Sequence, residues 1–296
     1  MNSPLPTRTA AALFAIVVLT WGTSWPVTKL IVQSIPPLWA TAFRCMIAAA
    51  ALLPLLWFQG KLIIPCRRDL PVVLSIALLH MVAFATLVAA GLRFVPAGKA
   101  IVLGYTTPLW VAIGASIFLG ETITKWRVIG IAAGLAGLGV IFNPLSFDWG
   151  DHRAIIGCGL ILLAAFCWAI NIVYVRTHQW IATPFQLLLW EVIVAGATLS
   201  TLAASLEGWP RIAWDMRLFG LLLYGGLCGT ALAYWAMVLV NRSLPAMTTS
   251  LGVLATPIVG ILSAAVVLGE PITASLLIAV GLVTGGIAIG TLQARP

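Results

Sequence analysis

Apolar runs of about 20 residues, separated by short breaks that hold most of the charges, recur along the whole chain. A helix of that length crosses about 30 Å of hydrocarbon. Only 8% of the 296 residues are Asp, Glu, Lys or Arg, whereas a soluble domain carries about 25%. We therefore predict an all-α integral membrane protein.

Ten runs predict ten transmembrane helices, and the connections between them are too short to form a folded soluble domain. Any function must therefore lie inside the helix bundle. The predicted spans cover residues 10–32, 36–58, 70–92, 97–119, 126–143, 154–175, 184–206, 217–240, 246–268 and 274–292.

The second half of the chain repeats the first. At a shift of 149 residues, 12 of the 42 positions from 96 to 137 are identical, where chance would give about three or four. These include Thr-Pro at 107 and 256 and Leu-Gly-Glu at 119 and 268. At a shift of 147 residues, Trp21 aligns with Trp168 and Arg44 with Glu191. Since each repeat has five helices, the second crosses the membrane in the opposite sense, which predicts inverted repeats at 1–147 and 148–296.

These motifs resemble a known family. The Trp-Gly pair of helix one, the proline within helices four and nine, and the repeated LGE-x-[IL]-T pattern are similar to the EamA-type, ten-helix members of the drug/metabolite transporter superfamily. The resemblance covers essentially the whole chain, and the Trp-rich spans look most like an aromatic amino acid exporter. It implies a central cavity walled by helices one to four and six to nine, with helices five and ten outside, and export of a solute.

Several aromatic residues lie deep in the predicted spans, where an interfacial aromatic belt does not account for them. Trp21 and Trp25 share one helix face, as do His80 and Phe84. Such faces suit either packing or a cavity for a solute with an aromatic body and a polar head, and they also attract organic cations. The candidate substrate-binding residues are Trp21, Trp25, His80, Phe84, Tyr105, Trp110, Trp168, Asn171 and Tyr234.

Three prolines interrupt the spans, at Pro26, Pro108 and Pro257. Each is either a static kink or a hinge for alternating access. Arg44 and Glu191 are the charges deepest in their spans. They either form an ion pair or cap carbonyl groups, or they serve substrate charge recognition or proton coupling.

Simpler roles are predicted near the helix ends. Lys29 is expected to extend to the membrane surface, and Glu121 and Glu270 are expected to cap the loops at Gly120 and Gly269. Helices five and ten contain Gly-x-x-x-Gly spacings, which predict close helix packing, with a dimer contact as the alternative.

The most favoured function is a secondary transporter that exports aromatic amino acids or other small amphipathic metabolites. Exporters of other amino acids or drugs remain the alternative, and a membrane-embedded enzyme or a scaffold subunit is less favoured. The sequence contains neither H-E-x-x-H nor G-x-S-x-G nor a G-x-x-x-x-G-K-[ST] loop. We predict that the protein is not an enzyme and has no cofactor and no metal site.

The expected partners are a small molecule like an aromatic amino acid and the lipid bilayer. Nucleic acid is not expected, because no basic face lies outside the membrane. We expect a monomer, with a dimer as the alternative. With the N-terminus inside, nine basic residues lie on inner segments and six on outer ones, which predicts the cell inner membrane with both termini in the cytoplasm.

Overall fold

A computed structural model describes residues 5–120, 124–142, 150–244, 249 and 252–292. All the regular elements of these residues are helical, which confirms the predicted fold class. We label the helices α1 (Thr7–Ile31), α2 (Pro37–Phe58), α3 (Leu70–Gly91), α4 (Ala97–Leu119), α5 (Lys125–Phe142), α6 (His152–Thr177), α7 (Pro184–Leu206), α8 (Met216–Leu223, Tyr224–Leu232 and Ala233–Ser243), α9 (Ala255–Leu268) and α10 (Ala274–Leu292).

Within the described ranges, seven helices are long and apolar enough to cross a membrane, namely α1 to α4 and α6 to α8. Helices α5, α9 and α10 contain shorter apolar segments. We call the end of the bundle at which α1 finishes the Lys29 end. The opposite end, which carries the connection from α2 to α3, is the Asp69 end.

Short polar sequences fix where several helices begin. The Asp151 carboxylate accepts hydrogen bonds from the backbone N–H groups of Arg153 and Ala154 at the start of α6. Thr183 and Gln186 form a reciprocal capping box at the start of α7. Such caps satisfy N–H groups that have no partner within the first helical turn.

The packing of the helices is that of two inverted repeats. Helix α1 packs against α9, and the equivalent pair in the other repeat, α6 and α4, is also in contact. Helices α2 and α7 pack against each other, as do α5 and α10, so each of these contacts maps onto itself when the halves are exchanged. The proposed domain boundary between residues 147 and 148 lies outside the described residues and stays a prediction.

Two of the predicted spans contain a wider, π-helical segment in their middle. These segments are Ile76–Phe84 in α3 and Tyr224–Leu232 in α8, and their first residues are 224 − 76 = 148 positions apart. Uninterrupted α-helices were predicted for both spans. A π-helical turn accommodates one extra residue and changes the direction of the side chains that follow, and such turns are frequent at functional sites.

The prolines of α4 and α9 lie at the start of a helical segment, and Pro26 does not. Helix α4 is interrupted at Tyr105 and Thr106, and Pro108 lies in the first turn of the segment Thr107–Leu119. Pro257 lies in the first turn of α9. Helix α1 continues through Pro26 without a break. Span 97–119 is therefore two helical segments, because proline cannot donate the backbone hydrogen bond of a helix interior.

Helices α5 and α10 pack backbone to backbone. A Cβ atom at Gly286 would lie 2.5 Å from the carbonyl oxygen of Gly130, and one at Gly137 would lie 3.0 Å from that of Ala279. The repeat shift of 149 relates Gly137 to Gly286 and Gly130 to Ala279, so these are two copies of one contact. The predicted packing of the two glycine-rich helices is confirmed.

We expect Gly286→Ala to lower the thermal unfolding temperature in detergent, because the new methyl group forces the two backbones apart, at a cost of about 1–3 kcal/mol. Gly281→Ala on the same helix is the control, since a Cβ atom there meets nothing within 4 Å. Equal unfolding temperatures for the two variants would contradict this account of the contact.

At the Asp69 end, one carboxylate joins the α2–α3 connection to the α6–α7 connection. The buried Asp69 side chain accepts hydrogen bonds from the N–H groups of Ile181 and Ala182, at 3.3 and 3.0 Å, and pairs with His178 Nε2 at 3.1 Å. Burial raises the pKa of the Asp69 carboxyl, but these bonds and one from the Cys66 thiol outweigh it and hold that pKa below its usual value.

Asp69→Asn is expected to lower the unfolding temperature at pH 7 and to lose this effect in acid. A carboxyl with a lowered pKa in the folded state contributes stability above its unfolded pKa of about 3.9, and the contribution is lost as the pH falls through the folded pKa. The comparison is thermal unfolding of wild type and variant between pH 7 and pH 3. Asp151→Asn, which keeps a capping oxygen at an exposed helix start, is the control, and a gap of constant size at all pH values would contradict the prediction.

Candidate functional site

A cavity lies among α1, α2, α3, α4, α6 and α8, and we call it the Arg44 cavity. Its volume is about 100 Å³. Seven of the predicted substrate-binding residues line it, namely Trp21, Trp25, His80, Phe84, Tyr105, Trp168 and Tyr234. Both π-helical segments contribute to the wall, because His80 and Phe84 lie in one and Gly229 and Thr230 in the other.

The aromatic side chains form one connected cluster. The rings of His80 and Trp168 are stacked, with centroids 5.1 Å apart and an interplanar angle of 4°. Phe84 packs on Trp168 at 4.9 Å, and Tyr234 packs edge-on against Trp21 at 5.8 Å. The Tyr234 hydroxyl lies 3.0 Å from His80 Nε2. This cluster joins α1, α3, α6 and α8 and presents a continuous aromatic surface to the cavity.

Arg44 lines the same cavity and is held by its neighbours. Its Nε–H donates a hydrogen bond to Thr230 Oγ1 at 3.0 Å, and the Thr230 hydroxyl donates to the carbonyl oxygen of Gly225 at 3.0 Å. Gly225 lies against the Arg44 side chain, since a Cβ atom there would be 3.3 Å from Arg44 Cδ, whereas Gly226 lies against Ile47. The π-helical segment of α8 therefore positions the guanidinium group.

Arg44 and Glu191 do not form an ion pair, although both belong to the described part of the chain. Glu191 is buried in α7 and lines neither of the cavities discussed here. One of the structural alternatives, a pair between the two charges, is therefore not formed in this structure. Arg44 lies where it can reach a solute, and Glu191 does not.

Two predicted site residues lie apart from the aromatic cluster. Trp110 donates a hydrogen bond from Nε1 to Thr106 Oγ1 at 3.3 Å and packs edge-on against Phe166 at 6.1 Å. Asn171 is buried and accepts a hydrogen bond from the Ser75 hydroxyl at 2.9 Å. Neither lines the Arg44 cavity.

A second cavity, which we call the Pro108 cavity, extends toward the Asp69 end and measures about 450 Å³. Trp21, Tyr105 and Trp168 line both cavities, so these three rings lie between them. Helices α5 and α10 contribute Gly130 and Gly286 to the wall of the Pro108 cavity. The implied placement of helices five and ten wholly outside the cavity is therefore wrong for this half of the bundle.

A clasp closes the two repeats against each other at the Lys29 end. Lys29 Nζ lies 3.0 Å from Glu270 Oε1 and donates to the carbonyl oxygen of Val95 at 2.9 Å. The Glu270 carboxylate also accepts hydrogen bonds from the N–H groups of Ala97 and Gly98, at 2.7 and 2.9 Å. It thus caps the start of α4, where the helix dipole favours a negative charge.

This clasp corrects two predictions from the sequence. Lys29 is not a free side chain at the helix end, because it is bound to Glu270 and to Val95. Glu270 caps α4, in the other repeat, rather than its own loop. The predicted cap at Glu121 lies outside the described residues.

Several small residues of the Arg44 cavity wall were not among the predicted site residues. Ser24 and Thr28 follow Trp21 at helical spacings of three and seven, so the periodicity of α1 could have found them. Cys45 lines the cavity beside Arg44. Thr230 and Gly229 carry no comparable signal, since their position depends on the π-helical segment of α8.

The model of the EamA-like transporter family matches residues 8–143 and 155–292, one segment in each half of the chain. The chain belongs to the EamA-like transporter family. It is therefore a membrane-embedded transporter, in agreement with the seven long apolar helices and with the prediction of a transporter rather than an enzyme.

Relatives of full length share this assignment. The "uncharacterized transporter YoaV" of Bacillus subtilis is 26% identical over 93% of this chain and 94% of its own. A "probable amino-acid metabolite efflux pump" of Salmonella typhimurium is 29% identical over 96% of this chain and 95% of its own. A crystal structure of another protein covers 98% of this chain and 99% of its own, with a TM-score of 0.68 and 19% identity, and so shows the same fold.

We expect Glu270→Gln to open the Lys29 end of the Arg44 cavity. The substitution removes the charge that Lys29 binds and weakens the cap on α4, so the contact between the repeats loosens. Cys45 is 4% exposed in the cavity wall, and in a variant with the other four cysteines replaced it reports access. Its rate of modification by a polar thiol reagent is expected to rise several-fold.

The matched control is Glu207→Gln, at the same end of the bundle. Glu207 accepts hydrogen bonds from the N–H groups of Leu38 and Trp39 but pairs with no basic side chain of the described residues. An unchanged Cys45 modification rate in a folded Glu270→Gln protein would show that the clasp does not close the cavity.

Proposed function

We propose that this transporter exports small amphipathic metabolites with an aromatic body, aromatic amino acids foremost. The observation that carries the proposal is the connected cluster of His80, Phe84, Trp168, Trp21 and Tyr234 around the Arg44 cavity. Aromatic walls bury large apolar area and accept ring-shaped ligands by offset or edge-on packing, while a few polar groups fix the orientation.

Two similarities support this choice of substrate. A full-length relative is named for the efflux of an amino-acid metabolite, and the Trp-rich spans resemble the aromatic amino acid exporter YddG. The Arg44 cavity is small, at about 100 Å³, so a bound ring would contact its walls on several sides. An amino acid without a ring would leave most of that aromatic surface uncovered.

The proposed mechanism is alternating access across the aromatic layer. Trp21, Tyr105 and Trp168 lie between two cavities that extend toward opposite ends of the bundle. Pro108 follows a break in α4, and Pro257, at the equivalent position, lies in the first turn of α9. In this mechanism each repeat bends at its proline. In this mechanism the Lys29–Glu270 clasp holds one end closed while the solute enters or leaves at the other.

We further propose that the protein acts as a monomer in the cell inner membrane with both termini in the cytoplasm. The excess of basic residues on the segments of the Asp69 end supports this orientation. The Lys29 end would then face away from the cytoplasm, and export would run from the Pro108 cavity to the Arg44 cavity.

The test is transport in proteoliposomes of radiolabelled tryptophan, phenylalanine and threonine, with and without a pH gradient. We expect tryptophan and phenylalanine to move and threonine to move slowly or not at all. Trp168→Ala and Trp21→Ala are expected to reduce tryptophan transport about tenfold or more. The stacking of an aromatic side chain on a ring about the size of a nucleobase contributes about 1–3 kcal/mol.

Trp110→Ala is the matched control, because Trp110 packs on Phe166 outside the Arg44 cavity. The proposal predicts a small effect of this substitution on the transport of tryptophan. Transport of threonine without transport of or competition by tryptophan would refute the aromatic-substrate proposal. Equal kinetics of wild type, Trp21→Ala and Trp168→Ala would assign both rings to packing alone.

A further inference from the structure

Arg44 is the one residue with a formal charge among the described residues that line the Arg44 cavity. Within the described ranges no aspartate or glutamate lines it, and Glu191 forms no ion pair with Arg44. A cation in a largely apolar wall at this depth costs about 2.5–3.5 kcal/mol on insertion scales. A bound anion would offset that cost, and a bound cation would add to it by repulsion.

The geometry of Arg44 leaves the two terminal amino groups of its guanidinium available to a solute. Its Nε–H donates a hydrogen bond to Thr230. Its two terminal amino groups make no hydrogen bond to any residue in the part of the chain that the structure describes. These groups are the donors that bind both oxygens of a carboxylate in parallel. The hydrogen bond to Thr230 fixes the guanidinium plane, so little side-chain freedom is lost when a carboxylate binds.

The aromatic cluster lies in the wall of the same cavity. His80, Tyr234, Phe84 and Trp168 line it together with Arg44, so a solute held by a carboxylate at Arg44 has aromatic surface within reach of its body. For an ammonium group the described residues of the wall offer no carboxylate, only neutral groups such as the hydroxyls of Tyr234, Ser24 and Thr28.

From this arrangement we infer that Arg44 is the carboxylate-binding residue of the transporter and that a carboxylate, rather than an amino group, is the charge required of its substrates. The inference rests on the proposed function, since it assigns the charged part of the ligand in the same cavity. It extends the substrate class from aromatic amino acids to aromatic carboxylates without an amino group, and it excludes aromatic amines and other organic cations.

The first test uses the unaltered protein and three ligands that share one ring system. Purified protein in detergent binds radiolabelled indole-3-propionate or tryptophan, and each of tryptophan, indole-3-propionate and tryptamine serves as unlabelled competitor. We expect the two carboxylates to compete at similar concentrations. Tryptamine is expected to compete at least tenfold more weakly, because it lacks the charge-assisted bonds to Arg44.

The second test uses variants of Arg44 and of Thr230, which holds it. Arg44→Lys keeps the charge but loses the two parallel donors, and we expect it to weaken binding of both carboxylates about tenfold while tryptamine is unaffected. Thr230→Val removes the oxygen that accepts the Nε–H and is expected to weaken the carboxylates by a smaller factor. Thr230→Ser keeps that oxygen and should restore binding. Arg93→Gln, in the exposed connection from α3 to α4, is the control for long-range charge effects.

The outcomes separate this inference from the proposed function. If tryptamine competes as strongly as tryptophan, the proposed role of Arg44 is overturned, but the proposal of an aromatic binding cavity is not affected. If indole-3-propionate binds in an Arg44-dependent manner while tryptophan neither binds nor is transported, the proposal of an amino acid substrate is refuted. The role of Arg44 in binding a carboxylate is then supported. Binding of none of the three ligands would overturn both. The comparison of ligands on the unaltered protein decides the case even where an Arg44 variant fails to fold.

Discussion

In hydrocarbon, a backbone N–H or C=O group without a hydrogen bond costs several kcal/mol, so a chain can leave the α-helix only where other groups satisfy its backbone. The departures in this bundle follow that constraint. At the break in α4 the hydroxyls of Thr106 and Thr107 donate to the carbonyl oxygens of Leu103 and Gly104, at 2.7 and 2.8 Å. The π-helical segments keep their backbone bonds but shift the partner by one residue. Both kinds of departure occur beside the Arg44 cavity, which gives the site its shape.

Much of the fold could be predicted from the sequence because the bilayer leaves few alternatives. The length of the apolar runs predicted the helices. The inverted repeat was predicted from positions that match between the halves, such as Pro108 with Pro257 and the two Leu-Gly-Glu triplets. The contacts of Gly130 with Gly286 followed from glycine spacing, since small residues are what allow membrane helices to approach closely. These predictions depend on local pattern, which a single sequence contains.

The site was less predictable, since its geometry depends on contacts between distant parts of the chain. Trp21, Trp25 and Trp168 could be proposed as a wall from depth and repeat alignment, but the same reasoning also selected Trp110, which packs on Phe166 instead. Lys29 was predicted to extend to the membrane surface. Its partner Glu270 is 241 positions away, so the local sequence gives no sign of the pair. Likewise, nothing in the local sequence around Thr230 indicates that α8 widens there and brings its hydroxyl to Arg44.

The inverted repeat supplies two copies of each position, and two of the polar positions in the middle of the bundle have diverged. Arg44 lines a cavity, whereas Glu191, at the equivalent position 147 residues on, is buried and is not among the residues that line it. His80 likewise corresponds to Cys228 at the shift of 148 that relates the two π-helical segments. The helix framework is therefore nearly symmetric, while Arg44 and His80, both in the first repeat, have no equivalent of the same residue type in the second. Substitutions at these positions can therefore change the polarity of the cavity while the paired contacts of the two repeats, α2 with α7 and α5 with α10, stay intact.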